Sequence, residues 1–203
     1  MNAISTEPVQ SLKWYEVWRE VFLHPSEKTF DRILADPTAT PNRAYIWVAI
    51  MSTLIGILGQ FFSLNFTIPS LFIAVVFSPI FGLIGLASGA LLLHWIAKRY
   101  KGQGTYSRMV YALGAIFISP YYMIYTFLQW VLSSQELLSS LVLEIFALFM
   151  VYLTAQAIKA VERINTGQAY WTLILPVLLM AVLAVFVIVA LAFLSPAIGA
   201  GVR

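Results

Sequence analysis

Five long apolar segments divide this chain, and each is long enough to cross a lipid bilayer as an α-helix. They run over residues 44–64, 69–97, 108–132, 136–159 and 170–194. About 20 helical residues, at ~1.5 Å rise per residue, span the ~30 Å hydrocarbon core of a bilayer. The sequence therefore predicts an all-α integral membrane bundle of five transmembrane helices over residues 44–203. Residues 1–43 form a more polar arm in front of it.

The basic residues lie in every second connection. Five basic residues precede the first span, four lie between spans two and three, and two lie between spans four and five. In that order they are Lys13, Arg19, Lys28, Arg32 and Arg43; Lys98, Arg99, Lys101 and Arg108; and Lys159 and Arg163. Of the 12 Lys and Arg, only Arg203 lies elsewhere. Because Lys and Arg favour cytoplasmic connections, we predict a cytoplasmic N-terminus and a C-terminus on the outside. The first ten residues carry no basic and then apolar run, so we expect no cleavable signal peptide.

Composition and motifs argue against several functional classes. Charged residues are only 10% of the chain, and the net charge of +3 comes from basic residues at the ends of apolar runs, so we expect no nucleic-acid binding. The chain has no Cys, and His24 and His94 stand in no metal-ligand spacing. It also lacks a GxSxG nucleophile motif. We therefore expect no enzymatic activity, no metal and no cofactor.

The connection after span two contains Lys101-Gly102-Gln103-Gly104-Thr105. Its length and lysine position do not fit a phosphate-binding loop, and glycines are expected there for turn geometry alone. Just before it, His94 is expected to anchor the end of span two at the membrane interface, together with Trp95, Lys98 and Arg99.

The arm contains two predicted amphipathic helices. In the first, Leu12, Tyr15, Trp18 and Phe22 recur at three- and four-residue steps over residues 11–23. The second begins at Pro25, carries Phe30, Ile33 and Leu34 on one face, and ends before Asp36-Pro37. In a structural interpretation, such helices lie on the membrane or pack against the cytoplasmic end of the bundle. In a functional interpretation, they dock a partner or sense the bilayer. Trp14, Trp18 and Phe22 are the residues expected at the interface.

Small residues and prolines punctuate the spans. Gly82, Gly85 and Gly89 lie on related faces of span two, where they favour close helix packing within the bundle or, alternatively, dimerisation. Proline removes a backbone donor and disrupts the preceding turn. We expect bends or breaks at Pro79, Pro120 and Pro176.

Glu144 is the acidic residue placed deepest in an apolar span, and a carboxylate there is costly. No Lys or Arg lies at comparable depth. Glu144 is expected either to be protonated and bonded to neighbours on span three or to act in transport. Together with Tyr122, Tyr125 and Gln129, it forms the candidate intramembrane polar site.

Three stretches carry a resemblance to a known family. They are WREVFLHPSEKTF in the arm, KGQGTYSRMVYALGAIFISP after span two, and AIKAVERINTGQAYWTLILP between spans four and five. From about Trp14 to Ala192 the chain resembles the Yip (Ypt/Rab-interacting protein) family of polytopic membrane proteins, in particular its prokaryotic branch. For that branch the resemblance implies a plasma-membrane protein without an established biochemical activity. The long polar region and the Asp-Leu-x-Gly-Pro signature of eukaryotic members are absent here, so binding of a Rab-type GTPase is not implied.

Two functions remain open on these grounds. The first is a non-enzymatic membrane-organising or partner-binding protein whose partners are the lipid bilayer and other membrane proteins or a second copy. The second is a transporter, channel or lipid-translocating protein that uses the polar site around Glu144. Transport requires a polar cavity at mid-membrane, whereas an organiser can have a dry core.

Overall fold

The structure is a computed structural model that describes residues 11–62 and 66–200, with side chains as far as residue 187. The regular structure in these residues is entirely helical, which confirms the predicted fold class. The eight helices are α1 (Trp14–Leu23), α2 (Glu27–Leu34), α3 (Pro41–Phe62), α4 (Ile68–Arg99), α5 (Tyr106–Ile118), α6 (Tyr121–Val131), α7 (Glu136–Glu162) and α8 (Thr166–Ala200).

Four helices, α3, α4, α7 and α8, are long and apolar enough to cross a membrane, and the α5/α6 pair makes a fifth if it counts as one span. The pair is bent by 40°. Its start lies beside the end of α7, where the Gly104 N–H donates to Glu162, and its end lies beside the start of α7, where Gln129 bonds to Ser139. Because those two ends of α7 are ~35 Å apart, the bent pair traverses the whole bundle.

Of the three prolines expected to disturb spans, only Pro120 interrupts a helix. The residue before it, Ser119, is extended (φ −66°, ψ 151°), as steric contact with a following proline favours. The buried Ser119 hydroxyl donates to the Ile116 carbonyl and so satisfies part of the broken turn. Helices α4 and α8 continue through Pro79 and Pro176, so neither proline breaks its helix, and a bend at these two positions stays a prediction.

Helix α5 is the centre of the bundle, since α1, α2, α3, α4 and α7 all pack against it. Its buried residues run almost without interruption from Met109 to Ile118. Helix α8, in contrast, packs against α4 and α7 and is exposed along residues 174–187 apart from the half-buried Pro176. The arm helices thus cover α5 at one end of the bundle, which we call the arm end; the opposite end is the far end.

Packing is much denser at the arm end. All the buried residues of α7 lie between Leu153 and Glu162, and none lies in the preceding 17 residues, 136–152. In α4, Ala74 is the one buried residue before Leu86. The helices therefore form a common core near the arm and bury fewer residues toward the far end.

Candidate functional site

The arm is docked on the bundle through an apolar face. Val17 and Val21 of α1 are fully buried, and α1 packs against α5. Phe30 and Ile33 of α2 are also fully buried, where α2 packs against α7 and α5. The exposed side of α1 carries Trp14, which is 58% exposed. Both helices therefore lie against protein, and α1 presents an aromatic edge to its surroundings.

Of the other residues expected at the interface, Trp18 and Phe22 are half-buried. Their rings stack at 6.0 Å, and Phe22 also contacts the ring of Tyr121 at 5.0 Å. This aromatic row connects the end of α1 to the start of α6.

Arg43 ties both ends of the arm to the first span. Its guanidinium donates to the Asp36 carboxylate at 3.2 Å and to the Leu12 carbonyl at 2.5 Å. The Asp36 side chain is fully buried, and it also accepts from the Leu12 N–H at 3.1 Å. A planar guanidinium with several fixed donors suits such a junction better than a lysine ammonium. One buried ion pair therefore joins the beginning of α1, the end of α2 and the beginning of α3.

Helices α6 and α7 hold α2 and the turn between α1 and α2. Lys159 pairs with Glu27 and Arg163 pairs with Asp31, each at 2.8 Å. The hydroxyl of Tyr121 donates to the Phe22 carbonyl at 2.8 Å, and the hydroxyl of Tyr152 donates to the Pro25 carbonyl at 3.1 Å; these two carbonyls lie at the turn between α1 and α2. These contacts hold α1 and α2, which form a helical hairpin, against the bundle. The turn of this hairpin points along the bundle toward the far end.

A buried glutamate joins three other segments at the arm end. Glu162, the last residue of α7, has a fully buried side chain, and its Oε1 lies 2.5 Å from Nδ1 of His94 on α4. Its Oε2 accepts from the Gly104 N–H at 3.0 Å, and its backbone carbonyl accepts from the Gln103 N–H. His94 was expected to be an interface anchor, but it instead connects two spans. Trp95 and Arg99 do face outward, with the guanidinium 4.7 Å from the ring centre.

The glycines of the α4/α5 connection make room for this carboxylate. A Cβ on Gly102 would lie 2.5 Å from Oε2 of Glu162, and a Cβ on Gly104 would lie 2.5 Å from the Val161 carbonyl. Neither glycine has a positive φ, so close approach and not turn geometry requires them, which corrects the sequence interpretation. Lys98 adds hydrogen bonds to both glycine carbonyls, at 2.9 and 2.8 Å.

The structure does not gather the candidate intramembrane residues into one cluster. Glu144 is exposed on the outside of α7, and among the described residues no side chain bonds to it. Tyr122 and Tyr125 pack against the ring of Phe146, at 5.7 and 4.4 Å. Gln129 bonds to the carbonyl and the hydroxyl of Ser139 at 3.1 and 2.8 Å, nearer the far end.

The glycines of α4 fall into two environments. Gly82 faces α3, where an added Cβ would lie 2.8 Å from the Cβ of Ser52. Gly56 on α3 meets Ser78 of α4 in the same way. Gly85 and Gly89 have no neighbouring atom within 4 Å of the corresponding position. The close contact of α3 with α4 thus rests on Gly82 and Gly56.

Two adjoining cavities lie midway along the bundle, beside the break in the α5/α6 pair. One, of about 450 Å³, lies between α3 and α4 and includes Ser52 and Gln60 in its lining. The other, of about 310 Å³, reaches Thr154 on α7. Both include Tyr122 in their walls. Most of their lining side chains are apolar.

Two grooves flank α1. An apolar groove of about 640 Å³ lies between α1, α3 and the α5/α6 break; it is lined by Trp14, Trp18, Ile46, Trp47, Ile50, Met51, Leu54, Ile118, Pro120 and Met123, and we call it the α1/α3 groove. A polar groove of about 730 Å³ lies on the other side of α1, with Lys13, Glu16, Arg19, Glu20, Arg32 and Asp36 among its lining residues. The arm therefore has an apolar flank toward α3 and a charged flank toward α2.

Sequence reasoning missed the residues with the most buried polar contacts, Asp36, Arg43 and Glu162. A signal for Glu162 was present, because a carboxylate in the last turn of a helix faces the negative end of the helix dipole and needs a compensating partner. No such local signal marks Asp36 and Arg43. They pair because the end of α2 packs beside the beginning of α3.

The family comparison agrees with this architecture. A model of the Yip1 domain matches residues 19–195, which is most of the chain. No curated protein and no solved structure matches it. The match includes the second half of α1, all of α2 and the membrane-crossing helices as far as residue 195 of α8. This chain is therefore a multi-pass membrane protein of the Yip1 domain family.

Proposed function

We propose that this protein is a non-enzymatic membrane organiser whose docked α1/α2 hairpin acts as a wedge in one leaflet. The observation that carries the proposal is the depth of the hairpin turn, given by the bonds from Tyr121 to Phe22 and from Tyr152 to Pro25. The Yip1 family is not a known enzyme family, and within the described residues no three His, Asp or Glu side chains could hold a metal ion together.

The depth follows from helix geometry. Ala44 and Gly114 are in direct contact, since a Cβ on Gly114 would lie 2.6 Å from the Cβ of Ala44. From Ala44 to the end of α3 at Phe62 is ~27 Å, close to the ~30 Å of a hydrocarbon core, so its boundary at the arm end falls near Ala44. Tyr121 lies about two helical turns, ~10 Å, beyond Gly114. The hairpin turn, bonded to Tyr121, therefore reaches ~10 Å below that boundary.

The hairpin carries charge below the boundary. Lys28 is exposed close to the turn, Arg19 and Arg32 are exposed one to two helical turns nearer the boundary, and the polar groove lies between α1 and α2. Exposed charges in hydrocarbon are costly, and the bilayer responds by local thinning and by admitting water and headgroups. The surrounding leaflet should therefore be thinned beside the hairpin.

The hairpin also makes the cross-section of the protein asymmetric. It adds two helices, each ~10 Å wide, to one leaflet only. The distribution of Lys and Arg supports the cytoplasmic leaflet as the one that receives them. A protein that is wider in one leaflet bends the bilayer so that this leaflet lies on the convex side. Amphipathic helices at the interface are themselves sensitive to membrane curvature.

Reconstitution into vesicles tests this function. Wild-type protein at high density should convert extruded vesicles into tubules or smaller vesicles, seen by electron cryomicroscopy. Arg43→Met, which removes the junction with Asp36 and Leu12, should abolish the effect, whereas Arg108→Met, a change at an exposed arginine, should preserve it. Vesicles that keep their shape with wild-type protein, or that change equally with Arg43→Met after its arm is shown to be released, would contradict the proposal.

The two cavities that meet at Tyr122 favour transport or lipid translocation as the second candidate function. They adjoin a broken span, and broken helices border substrate sites in many transporters. Their apolar walls suit a lipid chain better than an ion. Tyr122→Trp should fill both cavities and suppress movement of a fluorescent lipid across reconstituted vesicles if this function operates. If lipid moves equally fast across vesicles with wild-type protein and across vesicles without protein, lipid translocation is excluded.

A further inference from the structure

We propose that the α1/α3 groove binds one acyl chain of a glycerophospholipid from the leaflet at the arm end. This inference is independent of the wedge, because a groove can hold a lipid whether or not the protein bends the membrane. It rests on the position, the chemistry and the size of the groove.

The groove lies at the depth of acyl chains. Its α3 wall is formed by Ile46, Ile50 and Leu54, which are 59%, 55% and 41% exposed. They follow one another at four-residue steps and extend from ~3 Å to ~15 Å beyond Ala44. The α3 wall of the groove is therefore continuous with the lipid-facing surface of the bundle.

The groove is also shaped by the arm, which distinguishes it from ordinary lipid-facing surface. Trp14 and Trp18 of α1 form the opposite wall, and Trp47 lies with Met51 between the two walls. Its lining is almost purely apolar, as a saturated or unsaturated hydrocarbon chain requires. An acyl chain held between indole rings contacts protein on several sides and should exchange more slowly than bulk lipid.

The end of the groove near Arg43 is polar. Arg43 lies one helical turn before Trp47, with its guanidinium 4.9 Å from the indole centre. Its charge is paired with Asp36, and 20% of its side chain is exposed. A polar group at this end of an apolar groove suits the headgroup of a lipid whose chain lies in the groove.

The size of the groove suits a small ligand. Its volume of about 640 Å³ lies within the ~300–1,000 Å³ that is typical of small-molecule sites. A helix from a partner or from a second copy differs from a phospholipid in mass, so the mass of the bound species distinguishes these occupants.

Native mass spectrometry of the full chain in mild detergent tests the proposal. Wild type should retain one phospholipid per chain. Ile50→Trp, which fills the groove, should retain about tenfold less lipid. The matched control is Ile84→Trp on α4, where the isoleucine is similarly exposed, at 58% against 55%, and lines none of the cavities described above. Equal retention by both variants, or a bound mass that belongs to a peptide or a second chain, would overturn the inference.

Fluorescence provides a second measurement that leaves the groove unchanged. The triple variant Trp95→Phe, Trp130→Phe and Trp171→Phe retains Trp14, Trp18 and Trp47, which all line the groove, as its remaining tryptophans. After reconstitution with phospholipid brominated on its acyl chains, part of the quenching should persist on dilution into excess detergent. Full and immediate recovery of fluorescence would overturn the proposal even if Ile50→Trp failed to fold.

Discussion

Oε1 of Glu162 lies 2.5 Å from Nδ1 of His94, and this contact joins the arm ends of α7 and α4. The carboxylate is fully buried and also accepts from the Gly104 N–H, so one side chain connects two spans and the loop that leads into a third. A buried carboxylate without such partners would be strongly destabilising.

Replacing this glutamate should therefore unfold the arm end more readily. Glu162→Leu leaves the His94 ring nitrogen and the Gly104 N–H buried without their acceptor, and it should lower the free energy of unfolding by about 3 kcal/mol. Denaturation in mixed micelles measures the change. The control Glu136→Leu, at an exposed position in the first turn of the same helix, should stay within ~0.5 kcal/mol of wild type. Equal stability of the two variants would contradict the role assigned to Glu162.

Two glycines of α4 should respond oppositely to alanine. Gly82→Ala brings a methyl group within 2.8 Å of Ser52 Cβ and should cost about 1–3 kcal/mol through overpacking. Gly85→Ala meets open space and should be neutral or stabilise by up to ~1 kcal/mol, because alanine favours the helix. Unfolding in mixed micelles measures both. A loss with Gly85→Ala and not with Gly82→Ala would imply a partner on the other face of α4.

Arg43 should control whether the arm stays docked. Arg43→Lys cannot reproduce the several bonds of the guanidinium, so hydrogen exchange of residues 14–34 should become about tenfold faster, equivalent to ~1.4 kcal/mol of lost docking free energy. Mass spectrometry of exchanged peptides measures this directly. Arg108→Lys should leave the exchange unchanged. Protection of the arm as in wild type would show that the apolar face alone is sufficient.

Glu144 should be dispensable for stability. Because it is exposed on α7 and unbonded within the described part of the chain, Glu144→Leu removes a costly polar group from a span and should leave stability unchanged or raise it. Thermal unfolding in detergent measures the effect. A loss of about 1 kcal/mol, typical of an interhelical hydrogen bond in membranes, would instead indicate a bonding partner. Proton-coupled flux that disappears in Glu144→Gln would indicate a transport role.

The orientation can be tested with topology reporters. The basic connections predict that a reporter in the loop of residues 101–105 is active on the cytoplasmic side and that one fused after Arg203 is active on the opposite side. Activity of both reporters on one side of the membrane would contradict an odd number of spans. It would also mean that the bent α5/α6 pair does not cross the bilayer.

The sequence by itself determined the helices, the membrane class and the family. Apolar runs of more than about 20 residues can satisfy their backbone in lipid only as helices, so length and hydropathy were sufficient to place the spans. The long helices of the structure lie over the predicted segments, and the third segment is divided into α5 and α6 at Pro120. Proline was less informative, since whether a helix breaks at Pro120 or continues through Pro79 depends on how its neighbours accommodate the lost hydrogen bond.

Only the tertiary structure decided which side chains meet. Glu162 and His94 are separated by 68 positions, and no local pattern marks two residues on different spans as partners. The same holds for Arg43 with Leu12, for Tyr121 with the end of α1, and for the apolar groove between α1 and α3. Periodicity shows that a helix has an apolar face, but which neighbour covers that face depends on how all the helices pack together.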